Sequence, residues 1–166
     1  TVLFFSHRRS ELTPERSASV GSAGGSLVLN RRGTRFYRSG GEELRFYLDK
    51  TREPIRSVRY GGQPAHWAFT PDFREIWGVT ESGRILVVDE RRGRVVETLS
   101  ESATPQRPVI SPEGRYVFVL APGGESVLAL DARRRSVQTT IALPGAADRL
   151  AIAAGSLWAS ARSDGR

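Results

Sequence analysis

The chain has 166 residues, of which 39% are hydrophobic and 26% are charged, a composition typical of a soluble globular protein and not of a disordered segment. It contains no cysteine, which excludes disulfide bonds, thiolate nucleophiles and thiolate metal ligands. The formal net charge is +7, carried almost wholly by arginine because Lys50 is the only lysine, and such a surplus attracts polyanions or acidic partners.

The sequence shows no signal for membrane insertion or export. No run of about 18 or more apolar residues occurs, so we expect no membrane-spanning helix. The opening TVLFF is shorter than the apolar region of a signal peptide and lacks a small-residue cleavage site. We therefore expect these residues to carry no export signal of their own.

In chain order, the sequence is organised as one repeat unit with an incomplete copy at each end. TVLFFSH and ERSASV, within residues 1–25, match the third and fourth apolar runs of the unit. Full copies follow at about residues 26–60, 61–102 and 103–145, and a final pair of runs, RLAIAA and SLWASAR, lies within 146–166. The repeat is visible in Asp49, Asp89 and Asp131, which lie 40 and 42 residues apart.

Each full copy contains four short apolar runs separated by turn residues. In the middle copy the runs lie at roughly 65–70, 74–80, 84–89 and 94–99, and the turns are PDF, ESG and ERRG. Runs this short, rich in Val, Ile, Leu and aromatic residues, predict strands rather than helices. Each copy is therefore predicted to be a four-stranded antiparallel meander.

A sheet that is apolar on both faces must be covered on both, and units of this size that stack face to face are typical of β-propeller blades. We therefore predict an all-β fold, a β-propeller with about four blades' worth of strands in a single domain. The incomplete copies favour an arc of a larger ring, completed by blades of the same or another chain. Pairing of the two ends into a small closed ring is the alternative.

The segment GGQPAHWAFTPDFREIWGVTESGRILVVDERRGRVVETL resembles the YVTN-type β-propeller repeat. The shared features are a Gly-x-x-Pro approach to the first strand, a Pro-Asp turn, and a strand ending in Val-x-Asp before a charged turn. The resemblance covers about residues 26–145, although Phe73 replaces the turn glycine and the first copy has NRRG where Pro-Asp is expected.

The resemblance implies a fold but no single reaction. Similar propellers include lactonase-like hydrolases, haem- or quinone-linked oxidoreductase domains such as the cytochrome d1-haem-like propellers, surface-layer modules and binding proteins. We predict a binding or interaction scaffold with no self-contained catalytic site and no cofactor. Part of a propeller enzyme is the alternative, and polyanion or nucleic-acid binding is the second. A bacterial, periplasmic or extracellular location is implied by the resemblance alone.

The alternating direction of the antiparallel strands predicts which residues share an edge of the blades. The first-to-second and third-to-fourth turns emerge at one edge, here named the turn edge, and the second-to-third turns and inter-blade loops emerge at the opposite mouth edge. The mouth edge carries His66, with Arg107 at the equivalent place one repeat later. The inter-blade loops lead into the innermost strands, so their last residues surround the mouth of the central channel of a propeller. These two residues are the candidate site for an unknown small ligand or protein partner at this channel mouth. One histidine without a second ligand does not predict a metal site.

The turn edge is predicted to be basic and the mouth edge more acidic. Arginine clusters in successive third-to-fourth turns are the candidate polyanion-binding residues: Arg91, Arg92, Arg94, Arg133, Arg134 and Arg135. Arg31, Arg32, Lys50 and Arg52 belong to the same edge. No aromatic residues interleave with these clusters, so nucleic-acid binding there would be backbone-directed and independent of sequence.

Two sets of recurring residues have structural explanations. Asp49, Asp89 and Asp131 follow the third strand of each copy and are expected to accept hydrogen bonds from backbone amides in the next turn. Aromatic residues at one second-strand position are expected to pack between blades: Tyr37, Trp77, Phe118 and Trp158.

Overall fold

A computed structural model describes residues 2–8, 11–18, 27–30, 34–62, 64–104 and 106–161. They form sixteen strands and no helix. The strands are β1 (Val2–Arg8), β2 (Glu11–Ala18), β3 (Leu27–Leu29), β4 (Arg35–Gly40), β5 (Glu43–Leu48), β6 (Pro54–Arg59), β7 (Pro64–Phe69), β8 (Glu75–Thr80), β9 (Arg84–Asp89), β10 (Arg94–Ser102), β11 (Val109–Ile110), β12 (Tyr116–Leu120), β13 (Ser126–Asp131), β14 (Ser136–Ala142), β15 (Arg149–Ala153) and β16 (Ser156–Ser160).

These strands form three four-stranded antiparallel sheets and two hairpins. The first blade is β3–β6, the second is β7–β10 and the third is β11–β14, each with its strands in chain order. Among the described strands, β1 pairs only with β2 and β15 only with β16. The predicted all-β architecture of four-stranded meanders is confirmed. In the described part of the chain the two hairpins belong to separate sheets, so they do not pair into one blade.

The turns between first and second strands need a left-handed backbone at one residue. Gly114 supplies it in the third blade with a φ of 73°, and a side chain there would come within 2.9 Å of Pro71. In the second blade Phe73 adopts a φ of 58°, an uncommon conformation for a bulky residue. The Thr70 hydroxyl donates to Asp72 and accepts from the Glu75 amide, which fixes this turn. Gly33, at the matching place in the first copy, lies outside the described residues.

Two of the three recurring aspartates accept the expected backbone hydrogen bonds. Asp131 accepts from the amides of Arg133 and Arg134, both at 2.9 Å, and these bonds hold the pKa of its carboxyl below the usual value. Asp89 accepts from the amide of Arg92 at 2.6 Å. The structure describes no such bond for the Asp49 side chain, and that turn closes through the Arg52 amide, which donates to the Leu48 carbonyl.

The hydrophobic core lies between the blades, in two layers. One layer joins the first and second blades through Tyr37, Phe46, Trp67 and Ile76. The other joins the second and third blades through residues that include Trp77, which is fully buried. Neighbouring residues of β8 point to opposite layers, which explains why Ile76 to Thr80 are all buried. The second blade is thus covered on both faces, as predicted for Trp77.

Polar side chains link the blades at the turn edge. Arg35, at the start of β4, pairs with Glu90 from the second blade, and the Tyr37 hydroxyl donates to the same carboxylate at 2.8 Å. Glu75, at the start of β8, accepts from Arg135 of the third blade at 2.6 Å and from the Trp77 indole at 3.1 Å. Among the described residues, each junction thus has one half-buried ion pair with an aromatic donor. The earlier blade supplies the arginine at the first junction and the glutamate at the second.

The recurring aromatic residues of the second strands differ in burial, although all were predicted to pack between blades. Tyr37 and Trp77 are 2% and 0% exposed, whereas Phe118 is only partly buried. The prediction is wrong for Trp158, which is 63% exposed. Trp158 lies opposite Ala151 in the last hairpin, as Trp77 lies opposite Ala68, but no described sheet covers its side of β15–β16.

Candidate functional site at the channel mouth

The first strands of the three blades and of the last hairpin surround a common space. β7 contacts β11, and β11 contacts β15. A cavity of about 450 Å³ between them, here named the channel cavity, is lined mainly by apolar side chains. They come from β3, β7, β11 and β15 and include Val28, Leu29, Ala68, Phe69, Val109, Ile110 and Leu150. First strands therefore occupy the centre of the arrangement, as in the predicted channel.

A second cavity of about 490 Å³, here named the mouth cavity, lies where the inter-blade loops enter these strands. It is lined by His66, Gln106, Arg107, Asp148, Arg149 and Leu150. The structure therefore places the two candidate residues, His66 and Arg107, in one cavity. They come from the second blade and from the loop before the third, and Asp148 and Arg149 come from the start of the last hairpin.

Repeat geometry explains why these side chains meet. His66 lies in β7, Arg107 lies two residues before β11, and Arg149 is the first residue of β15. They are 41 and 42 residues apart, so they hold equivalent positions in successive copies. The backbone of Asp148, which lines the same cavity, is held by its amide, which donates to the Ser160 carbonyl at 2.8 Å. The loop conformation is therefore tied to the sheet.

The electrostatics of the mouth cavity are set by two guanidinium groups. Partial desolvation lowers the pKa of His66, and the positive charge of Arg107 lowers it further, so the imidazole is neutral at pH 7. None of the ion pairs formed among the described residues involves Arg107 or Arg149. The cavity thus combines two available cations with a neutral imidazole and one carboxylate, that of Asp148.

Four of the lining residues were not named as candidates from the sequence. Arg149 could have been found, because it follows Arg107 by one repeat and the same step relates Arg107 to His66. The order of the strands places Asp148 at the mouth edge but does not single it out, and Gln106 and Leu150 carry no signal at all. The neighbours of all three in the cavity depend on how the blades are arranged around the channel.

The arginine clusters of the turn edge are only partly available. Arg135 is bound to Glu75 with 32% of its side chain exposed, and Arg92 pairs with Asp89. Arg133 lines a cavity of about 470 Å³ that also contains Asp72 and Glu113, so acidic groups lie among the basic ones. Within the clusters of the third-to-fourth turns, the exposed arginines outside any ion pair of the described residues are Arg91, Arg94, Arg133 and Arg134. Arg31 and Arg32 lie outside the described residues.

Two features are absent from the described residues, a metal-binding cluster and a membrane-spanning helix. No group of three or more His, Asp or Glu side chains among them is arranged to hold a metal ion. In the same part of the chain, no helix is long and apolar enough to cross a membrane.

Solved structures identify the architecture. A hydrazine synthase structure from Kuenenia stuttgartiensis is 20% identical and matches 78% of this chain and 40% of its own, with a TM-score of 0.66. The apo AztD structure from Citrobacter koseri is 15% identical and matches 87% of this chain and 42% of its own, with a TM-score of 0.68. The chain has a β-propeller fold.

These similarities show the fold and do not identify a function. A second structure of Citrobacter koseri AztD is 14% identical, with the same coverage and a TM-score of 0.68. The chain spans 40% to 42% of the length of these propeller proteins. No family model and no curated protein sequence matches the chain, so the YVTN resemblance adds no family assignment to the propeller fold.

Proposed function

We propose that this propeller is a binding scaffold that holds a small molecule at the mouth of its channel, between His66 and Arg107. The observation that carries the proposal is the mouth cavity itself, to which two inter-blade loops and the first strands β7 and β15 contribute polar side chains. Inner strands from several blades converge at this place, so a few residues can surround a small ligand there. Its guanidinium, amide and imidazole groups supply directed hydrogen-bond donors.

A fragment screen by ligand-observed NMR tests the proposal without assuming any ligand chemistry. The screen is repeated with Gln106→Trp, which fills the mouth cavity but keeps its charged groups. Gln138→Trp places the same large side chain on the exposed outer strand of the third blade and is the matched control. We expect fragments whose binding is lost in Gln106→Trp and kept in Gln138→Trp. Hits that survive in both variants would overturn the proposal.

We also propose polyanion binding at the turn edge as a second candidate function. The supporting observation is that Arg91, Arg94, Arg133 and Arg134 are exposed and outside the ion pairs of the described residues. Cavities at this edge join the third-to-fourth turns to the neighbouring first-to-second turns, so the clusters share one surface. The contact would be made to charge and not to bases.

Heparin binding at increasing salt concentration tests this second candidate. Affinity should fall steeply with salt, and the double variant Arg133→Gln/Arg134→Gln should reduce the logarithmic salt slope by about 1 for each arginine lost. Arg107→Gln/Arg149→Gln removes the same charge from the mouth edge and should leave the slope unchanged. No binding at low salt, or equal slopes for the two double variants, would exclude polyanion binding at the turn edge.

A further inference from the structure

The mouth cavity and the channel cavity meet at two shared residues, and this juxtaposition restricts the chemical class of ligand that could occupy them. Arg107 and Leu150 line both cavities. Polar groups lie on one side of this pair and apolar side chains on the other. A ligand that occupied both spaces would therefore need a polar head and an apolar body.

The charge of the head follows from the mouth residues. Arg107 and Arg149 supply two positive charges, Asp148 supplies one negative charge, and His66 is neutral at pH 7. The sum is one positive charge, which a singly charged anion such as a carboxylate or sulfonate would balance. Arginine presents paired N–H donors whose spacing matches the oxygens of such groups, so the two guanidinium groups suit planar or tetrahedral oxyanions.

The apolar body follows from the channel residues. Leu29 is 58% exposed although it lines the channel cavity, and apolar surface of this kind gains free energy when a ligand covers it. Phe69, Val109 and Ile110 continue the same lining. Phe73 reaches it from the turn edge, through the turn in which its backbone is left-handed. A cavity of about 450 Å³ is large enough for a medium-length alkyl chain or a single ring system.

We infer that the channel takes an amphiphilic monoanion, with its head group on Arg107 and Arg149 and its apolar body against Leu29, Val109 and Leu150. This inference rests on the proposed binding function and names the chemical class of its ligand. It requires both halves of the ligand, so neither a small inorganic anion nor an uncharged hydrocarbon should bind as tightly.

Isothermal titration with four matched probes separates the contributions of the two halves. Octanesulfonate, used below its micelle concentration, carries both; methanesulfonate has the head alone, 1-octanol has the body with an uncharged head, and octyltrimethylammonium has the body with the opposite charge. We expect octanesulfonate to bind at least about tenfold tighter than each of the others, a difference of about 1.4 kcal/mol. The sulfonate stays ionised throughout the usual pH range, so titration of the probe does not complicate the comparison.

Variants on each side of the junction test the placement. Arg107→Gln and Arg149→Gln should each weaken octanesulfonate binding about tenfold. Arg133→Gln, an equally exposed arginine on the turn edge, is the control and should have no effect. Leu29→Ser should weaken octanesulfonate but leave methanesulfonate unchanged. Because all four side chains are exposed, thermal unfolding should show that each variant remains folded.

The outcomes distinguish this inference from the proposed function. Octyltrimethylammonium or 1-octanol binding as tightly as octanesulfonate, and blocked by Gln106→Trp, would overturn the anionic ligand while supporting a binding site at the mouth. Octanesulfonate binding that is equal in Arg107→Gln, Arg149→Gln and Arg133→Gln would overturn the placement of the head group. A fragment screen without any hit sensitive to Gln106→Trp would overturn both.

Discussion

Trp77 and Trp158 occupy equivalent positions in the second blade and in the last hairpin, and yet one is fully buried and the other is 63% exposed. Both lie on a second strand opposite an alanine of the first strand. Trp77 is covered by Val117, Val119 and Leu130 of the third blade. Trp158 faces away from the third blade, and no described sheet covers it. Burial at this position therefore depends on the neighbouring blade and not on the repeat unit itself.

The second blade and the last hairpin are stabilised in different ways. The second blade has apolar residues on both faces, so it gains hydrophobic stabilisation from two neighbours. The last hairpin has its partly buried residues, Leu150, Ile152 and Leu157, on one face only. We therefore expect substitutions in the second blade to destabilise the fold far more than equivalent substitutions in β15 and β16.

The largest effect is expected for Trp77→Ala. Removing a buried aromatic side chain from the layer between the second and third blades should lower the free energy of unfolding by about 3–5 kcal/mol. Urea unfolding followed by circular dichroism measures the change. An unchanged midpoint would contradict the assignment of Trp77 to the core between the blades.

Gly78→Ala should have the next largest effect, because the position has no room for a side chain. A Cβ atom there would lie 2.3 Å from the ring of Trp67, which is itself buried against Tyr60. Overpacking of this kind costs about 1–3 kcal/mol. Gly145→Ala is the control, since nothing lies within 4 Å of an added Cβ and its φ is not left-handed. Equal thermal midpoints for the two variants would contradict the predicted crowding.

Glu75→Gln should have a smaller effect, because it removes the charge but keeps an acceptor for the Trp77 indole. The bond from Arg135 would be lost, because the amide nitrogen that replaces the second carboxylate oxygen is a donor. The Arg135 guanidinium is 32% exposed, so water compensates part of the loss. We expect a destabilisation of about 1 kcal/mol, reduced further at high salt. The matched Asp89→Asn change would remove a charge whose partner, Arg92, is 66% exposed. A double-mutant cycle of Glu75 with Arg135 should therefore give the larger coupling energy of the two pairs.

The smallest effect is expected for Trp158→Ala, the counterpart of Trp77→Ala. With most of its side chain exposed, the substitution should change the free energy of unfolding by no more than about 0.5 kcal/mol. A loss close to that of Trp77→Ala would show that the open face of the last hairpin is covered in solution, so that the two tryptophans would not differ in burial.

Much of the fold could be predicted because its determinants are local. Turn residues such as Pro71, Asp72 and Gly83 lie between short apolar runs, and the period links the copies. Contacts between blades were not predictable in the same way. The pairing of Arg35 with Glu90 joins residues that are 55 positions apart. At the next junction the equivalent positions carry the opposite charges, Glu75 and Arg135, so no repeated sequence pattern predicts the ion pair.

The candidate site was predictable as a position but not as a chemical environment. Because His66 and Arg107 are one repeat apart, the sequence predicted both at the mouth edge, and the structure places both in one cavity. Its apolar side depends on Leu29 and Leu150, which read in the sequence as ordinary strand residues. Only the arrangement of four first strands around one space shows that they face the polar mouth.

The unequal environments of the tryptophans give the protein a built-in optical signal. Trp67 and Trp77 are almost fully shielded from water, whereas Trp158 is not, and the chain has three tryptophans in total. Acrylamide should therefore quench one third of the emitters readily and the other two slowly. The quenched component should emit at longer wavelength than the shielded one. Any sheet that came to lie against β16 would shift that component alone, so the emission spectrum would report a newly added neighbour without a label.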